Sequence, residues 1–137
     1  MSKVPKVYLD SCMIIGLIEG DSNQRQILKT QLANHSVYSS ELARMETRLL
    51  AIRNNHQDSL SQFDRFFMAC EIIALDRAVF ERATSLRAES HLKTPDALHL
   101  AAAIQAECDQ FWTNDKQLAT TANRHLKVVD WAVLGEI

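Results

Sequence analysis

Five short apolar runs alternate with longer stretches of helical periodicity along this 137-residue chain, and that alternation limits the fold more than any other feature. The runs fall at residues 6–10, 37–39, 72–75, 110–113 and 127–129, each too short for a helix and the first four followed by a helix start. Strands joined by helices pair in parallel, because a parallel pair needs a crossover long enough to hold a helix. Helices are expected over 12–18 (ending at Gly20), from Asp21 as N-cap through Leu32, from Glu41 to about Asn54 behind Ser40, over 59–69, 77–90, from Thr94 as N-cap to about Ala106, and over 116–122. Their apolar stripes are Ile27, Leu28 and Leu32; Leu42, Met45, Leu49 and Ile52; and Leu60, Phe63, Phe66 and Phe67. The Ala-rich helix around Ala101 and Ala102 suits close packing on a sheet. Only three Gly and two Pro interrupt the pattern, so connections should be short. The predicted architecture is α/β: a three-layer sandwich with a central, mainly parallel sheet flanked by helices, in a single domain spanning residues 1–137.

Four acids stand where such a sheet gathers chemistry. Asp10 closes the first apolar run, Glu46 lies in the helix after Ser39-Ser40, Asp96 sits in the first turn of the helix opened by Thr94-Pro95, and Asp115 ends the run Phe111-Trp112-Thr113-Asn114. The carboxyl ends of parallel strands and the neighbouring helix starts surround one crevice, where α/β sheets bind ligands. Carboxylates crowded there repel one another and call for a counter-charge, and a hard divalent cation with oxygen ligands, Mg²⁺ or Mn²⁺, supplies one. Taken singly, each acid has a plainer explanation: Asp10 and Asp115 as helix N-caps, Asp96 as a first-turn dipole partner, Glu46 as a solvated helix residue.

The remaining features bound the chemistry. A net charge of −2 does not mark a broadly basic nucleic-acid binder, though a local rim of Lys and Arg is compatible with it. Arg44, Arg48 and Arg53 either line an RNA path along the Glu46 helix or form a solvated face. Cys12, Cys70 and Cys108 are odd in number, far apart and set among apolar residues, which predicts buried, reduced thiols and a cytoplasmic protein. No basic-then-apolar leader and no stretch of membrane-spanning length is apparent, so no membrane partner is expected. His99, one turn after Asp96, is expected as a hydrogen-bonded, half-buried residue rather than a ligand. Trp112 is expected in the core, and the Phe63, Phe66, Phe67 cluster in the core or a dimer contact.

With the acids placed, the chain resembles the PIN-domain family, and within it the VapC-type toxin ribonucleases. The likeness rests on Leu9-Asp10-Ser11, on Ser39-Ser40 followed by Glu46, on the run from Asp96 through Ala97, Leu98 and His99 to Ala103, and on Trp112-Thr113-Asn114-Asp115. The resemblance implies a Mg²⁺- or Mn²⁺-dependent endoribonuclease with Asp10, Glu46, Asp96 and Asp115 as its catalytic quartet. Asp10, Asp96 and Asp115 would lie close to the metal, and Glu46 would act through a water. Ser11 and Thr113 would be polar supports near the metal, and Asn114 a helper in positioning Asp115. Arg44 and Arg48 are candidate RNA contacts. The resemblance also implies the toxin of a type II toxin–antitoxin pair, a partner antitoxin that blocks the site, and a homodimer through the helical arm of residues 21–67. Ser11 departs from the Thr common at that place. Glu41 competes with Glu46 but, one residue after its cap, is better explained as a dipole partner.

Two other readings are open. A catalytically silent PIN-like module for RNA binding or interaction would be expected to lack one of the four acids. Another metal-dependent α/β phosphohydrolase would show a different signature: Asp10-Ser11-Cys12 lacks the second Asp of a haloacid-dehalogenase-type phosphatase, no acidic pair suits a receiver domain, and no Gly-Lys-Ser/Thr forms a P-loop.

Overall fold

The computed structural model describes residues 4–135. Five strands, β1 (Lys6–Leu9), β2 (Ser36–Ser40), β3 (Glu71–Ile73), β4 (Gln110–Trp112) and β5 (Lys127–Val129), form one sheet in the order β3-β2-β1-β4-β5. Every pairing is parallel, with Tyr8 opposite Tyr38 on one side and Phe111 on the other. Helices α1 (Ser11–Glu19), α2 (Ser22–Leu32), α3 (Glu41–Arg53), α4 (Gln57–Ala69), α5 (Arg77–Glu89), α6 (Thr94–Gln105), α7 (Lys116–Ala122) and α8 (Trp131–Gly135) supply the crossovers and flanks. The expected α/β sandwich is the fold found.

The central strand explains the two cores. Val7, Tyr8 and Leu9 are all fully buried, as a parallel strand covered on both faces requires. Successive side chains point to opposite faces, so Val7 and Leu9 join α1, α2, α3 and α4 residues in one apolar cluster. Tyr8 joins α5, α6 and α7 in the other, stacked on Phe111 at 5.3 Å between ring centroids. Helix α6 is buried from Ala97 to Ala103 because alanines let its backbone lie close to the sheet. Trp112 is in the core as expected, and so are Phe63 and Phe67, with Phe66 packed against them.

Chain order places the crevice. From β1 the chain runs outward through β2 and β3, then returns to add β4 and β5 on the other edge of β1. The direction of sheet growth therefore reverses between β1 and β4, and beyond the carboxyl ends of those two strands lie Asp10 and Thr113–Asp115.

Several local expectations are corrected. In α3, Met45, Leu49 and Ile52 face outward, 56 %, 38 % and 53 % exposed, while Ala43, Thr47 and Ala51 face the core. The small residues allow close packing against α1 and α4, so helix proximity overrides the larger apolar stripe. Thr47 is admitted because its hydroxyl donates to the Ala43 carbonyl at 2.9 Å. Lys93, not Thr94, is the N-cap of α6; Thr94 is the first helical residue, and its hydroxyl accepts from Arg87 at 2.9 Å. Cys12 is exposed rather than buried, Cys70 is half-buried, and only Cys108 is enclosed, its thiol pushed up to about 12 by burial. Helix α8 was not foreseen, being short and without a helical stripe. Among the described residues no helix is long and apolar enough to cross a membrane.

Candidate active site

Asp10 enters the crevice because it is the first residue after β1 and the N-cap of α1. Its Oδ1 accepts from the Met13 amide at 2.9 Å, and its Oδ2 accepts from the Thr113 hydroxyl at 2.5 Å. Burial drives its carboxyl above the usual range, and Asp115 adds to that, against the lowering effects of Thr113, Met13 and His99. Asp115 repeats the arrangement on the next strand. It caps α7, its Oδ1 accepting from the Leu118 amide at 2.9 Å, and its own amide donates to the Thr113 hydroxyl at 3.1 Å. One buried hydroxyl thus joins the two aspartates. The capping roles and the crevice position coexist: each aspartate spends one oxygen on a helix start, and Asp10 gives its other oxygen to the Thr113 hydroxyl.

Asp96, in the first turn of α6, is half-buried. Burial raises its carboxyl, Asp115 and Glu46 raise it further, and His99 and Lys93 oppose them. Glu46 projects from the middle of α3, where Oε1 accepts from the Ser11 hydroxyl and from His99 Nε2, each at 2.7 Å. Partial burial alone would raise Glu46, but those two donors and the His99 charge prevail and hold it below the usual carboxylate range. Four acids from four elements therefore share one electrostatic neighbourhood. Cys12 reports the same field, its thiol raised by partial desolvation and then by Asp10 and Asp115.

Behind Glu46 lies a chain of buried hydrogen bonds. His99, 4 % exposed, meets the Tyr8 hydroxyl through Nδ1 at 2.6 Å. That hydroxyl also meets Ser40 Oγ at 2.8 Å, and Ser40 accepts from the Ala43 amide to cap α3. Ser39 donates to the Leu9 carbonyl at 2.8 Å, pinning the strand that carries Asp10. The Tyr8 phenol, pushed far above its usual range by burial, stays protonated.

The supporting residues sort themselves out. Ser11 and Thr113 touch the acids directly. The Asn114 side chain accepts from the Trp131 amide at 3.4 Å, so its contact is with the start of α8, and Thr113 is the residue that holds Asp115. Arg48 is tied to Asp64 across α3 and α4 at 2.8 Å, while Arg44 is half-buried with no ion pair among the described residues. Sequence reading passed over two participants. Tyr8 was readable in principle, since a tyrosine inside a doubly covered strand must find a partner for its hydroxyl. Lys93, a cation beside Asp96, had no sequence mark beyond its nearness in the chain.

The donor set suits a hard cation: oxygen atoms only, mutually repelling, with the imidazole occupied elsewhere. Among the described residues no three acids, imidazoles or thiolates converge into a ready-made cage. Mg²⁺ does not require one, because it keeps several waters and takes one or two carboxylates directly.

A family model described as PIN domain matches residues 7–124. No curated protein matches the chain significantly. Among solved structures, a toxin–antitoxin complex from Klebsiella pneumoniae is similar at TM-score 0.69 and 24 % identity, over 82 % of this chain and 90 % of that one. DNA-bound VapBC from Salmonella typhimurium aligns at TM-score 0.75 and 17 % identity, covering 93 % and 98 %. VapC20 of Mycobacterium tuberculosis, described as a sarcin–ricin-loop-cleaving toxin, aligns at TM-score 0.66 and 16 % identity, covering 83 % and 93 %.

Proposed function

The chain belongs to the PIN-domain family, and on that premise we propose that it is a metal-dependent endoribonuclease, the toxin of a type II toxin–antitoxin pair. The observation that carries the reading is the shared field of Asp10, Glu46, Asp96 and Asp115 at the reversal point of the sheet. Asp10, Asp96 and Asp115 would hold Mg²⁺ or Mn²⁺, with Glu46 acting through a water. Such an ion supplies a lowered pKa for bound water and neutralises charge on the phosphate being cleaved. The chain's own residues then set the geometry. Thr113 keeps Asp10 and Asp115 in register, Ser11 and His99 hold Glu46, and Lys93 offers a charge to the phosphate backbone near Asp96. Among the structural relatives, VapC20 carries the description of a sarcin–ricin-loop-cleaving toxin, which makes structured RNA the substrate class to try first.

The test is incubation of purified protein with total RNA in Mg²⁺, Mn²⁺ or EDTA, beside Asp96→Asn. Discrete fragments that need metal and vanish in the variant are expected. Intact RNA under all conditions, with Mn²⁺ nevertheless bound, would shift the assignment to a silent binding module.

The same reading implies partners. An open groove of about 520 Å³ lies between α1, α2 and α4, with Leu17, Ile18, Leu32 and Phe66 framed by Arg25, Lys29 and Arg65. The Arg25 Nε is buried there without a hydrogen-bond partner, and the three cations have no ion pair among the described residues. An amphipathic antitoxin segment carrying a carboxylate fits that chemistry, since a buried unpaired donor is costly until it is met. The outward Met45, Leu49 and Ile52 of α3 suit the homodimer contact. Arg25→Glu should weaken capture of a cognate antitoxin by tenfold or more, at roughly 1.4 kcal/mol per decade, while sedimentation still reports a dimer. Undiminished capture would remove the groove from the interface.

A further inference from the structure

We propose that His99 is a positioning residue for Glu46: it clamps one carboxylate oxygen so that Glu46 meets the metal's water shell with the other. The inference rests on the reading of the site as a metal centre.

The geometry leaves little freedom. A carboxylate held ionised only accepts, so the contact at Glu46 Oε1 requires His99 Nε2 to be the donor. Nδ1 faces the Tyr8 hydroxyl at 2.6 Å, which donates to a neutral imidazole and accepts from a charged one, so Nε2 donates to Glu46 in either state. Tyr8 in turn shares a hydrogen bond with the Ser40 hydroxyl, which accepts from the Ala43 amide at the start of α3. The relay therefore begins and ends on the same helix: its cap fixes Ser40, and its sixth residue is Glu46. Between them stand the central strand and α6, so the carboxylate is referenced to three elements at once. With Ser11 donating to the same oxygen, Oε1 is doubly engaged, and among the described residues Oε2 has no hydrogen-bond donor. A carboxylate so held does not swing in to chelate the ion. It presents a single acceptor at a fixed place, as orienting a metal-bound water requires.

Two substitutions separate this role from simple packing. His99→Gln keeps an N–H donor near the position of Nε2, whereas His99→Asn keeps a polar group near Nδ1 and falls short of Glu46. Mn²⁺ affinity measured by electron paramagnetic resonance should weaken about 10–100-fold in His99→Asn, the range seen when partners of metal-site groups are removed. His99→Gln should recover most of the loss at comparable melting temperature. Tyr8→Phe, which deletes only the hydroxyl behind the imidazole, should lose affinity in the same direction and guards against a misfolded Asn variant. Unchanged Mn²⁺ affinity in folded His99→Asn or in Tyr8→Phe, or equal losses in Gln and Asn, overturns the clamp. A wild-type protein that binds Mn²⁺ and follows this pattern but cuts no RNA sinks the ribonuclease assignment and leaves the clamp standing. A wild-type protein that binds no Mn²⁺ removes both.

Discussion

Asp10→Asn should lose metal-dependent RNA cleavage by on the order of 10²–10³-fold and yet melt at a higher temperature than wild type in EDTA. The two effects share one cause. Burial raises the Asp10 carboxyl in the folded protein, and Asp115 raises it further, so between its unfolded value and that raised value the native state binds the proton more tightly than the unfolded chain. Stability contributed by this residue therefore falls as pH climbs through that window, and above it the full cost of the buried charge is present. Asparagine is as good an N-cap as aspartate, so the contact to the Met13 amide survives. The gain should be on the order of 1 kcal/mol, near 4 °C for a chain this size, and should shrink in acid, where the wild-type carboxyl is neutral. Mn²⁺ should reverse the order, because only the wild type gains ligand-linked stability. Thermal melts with EDTA and with Mn²⁺ at acidic and neutral pH check each part. Wild-type cleavage by the variant would take Asp10 out of the site.

Thr113→Val should be the most damaging isosteric change near the crevice. Valine fills the same volume, so packing is preserved and only the hydroxyl is lost. That hydroxyl is fully buried, donates to Asp10 Oδ2 and accepts from the Asp115 amide. Its removal strands a buried carboxylate oxygen and frees a loop amide, a loss of roughly 2–3 kcal/mol with the charged acceptor as the larger part. Because Thr113 is one of the groups lowering Asp10, the carboxyl should rise still further. The destabilisation must then grow with increasing pH as Asp10 is forced to ionise without its donor. Cleavage should fall about 10–100-fold as the two aspartates lose their common tether. Urea titrations in mildly acidic and mildly alkaline buffer test the pH term, and a pH-independent deficit would show that Thr113 serves packing alone.

Much of this was legible in the sequence because strand and helix differ in period. Val7-Tyr8-Leu9 and Gln110-Phe111-Trp112 are β-rich runs that precede helix caps, and the sheet they form is the one expected. Capping aspartates are local signals, so Asp21 was placed correctly at a helix start, and Asp10 and Asp115 carry the capping role that was their plainer explanation. What could not be read was contact across the chain. The outward turn of Met45, Leu49 and Ile52 depends on how closely α3 approaches α1 and α4, which no stripe within α3 encodes. The tie between Asn114 and Trp131 belongs to α8, whose five residues leave no periodic trace. His99 stood beside Asp96 in sequence, but its function is defined by Tyr8 and Glu46, separated from it by 91 and 53 positions.

The dual use of Asp10 and Asp115 has a consequence for which acid can stand at each place. A residue that must cap a helix and face the crevice at once needs a short side chain, and one methylene more would carry the carboxylate past the amides it caps. At residue 46 the requirement is opposite: in mid-helix, with no amide to cap, the side chain must span from α3 to Ser11 and His99. Aspartate and glutamate carry the same charge, but here the backbone under each position dictates the length of the arm that carries it.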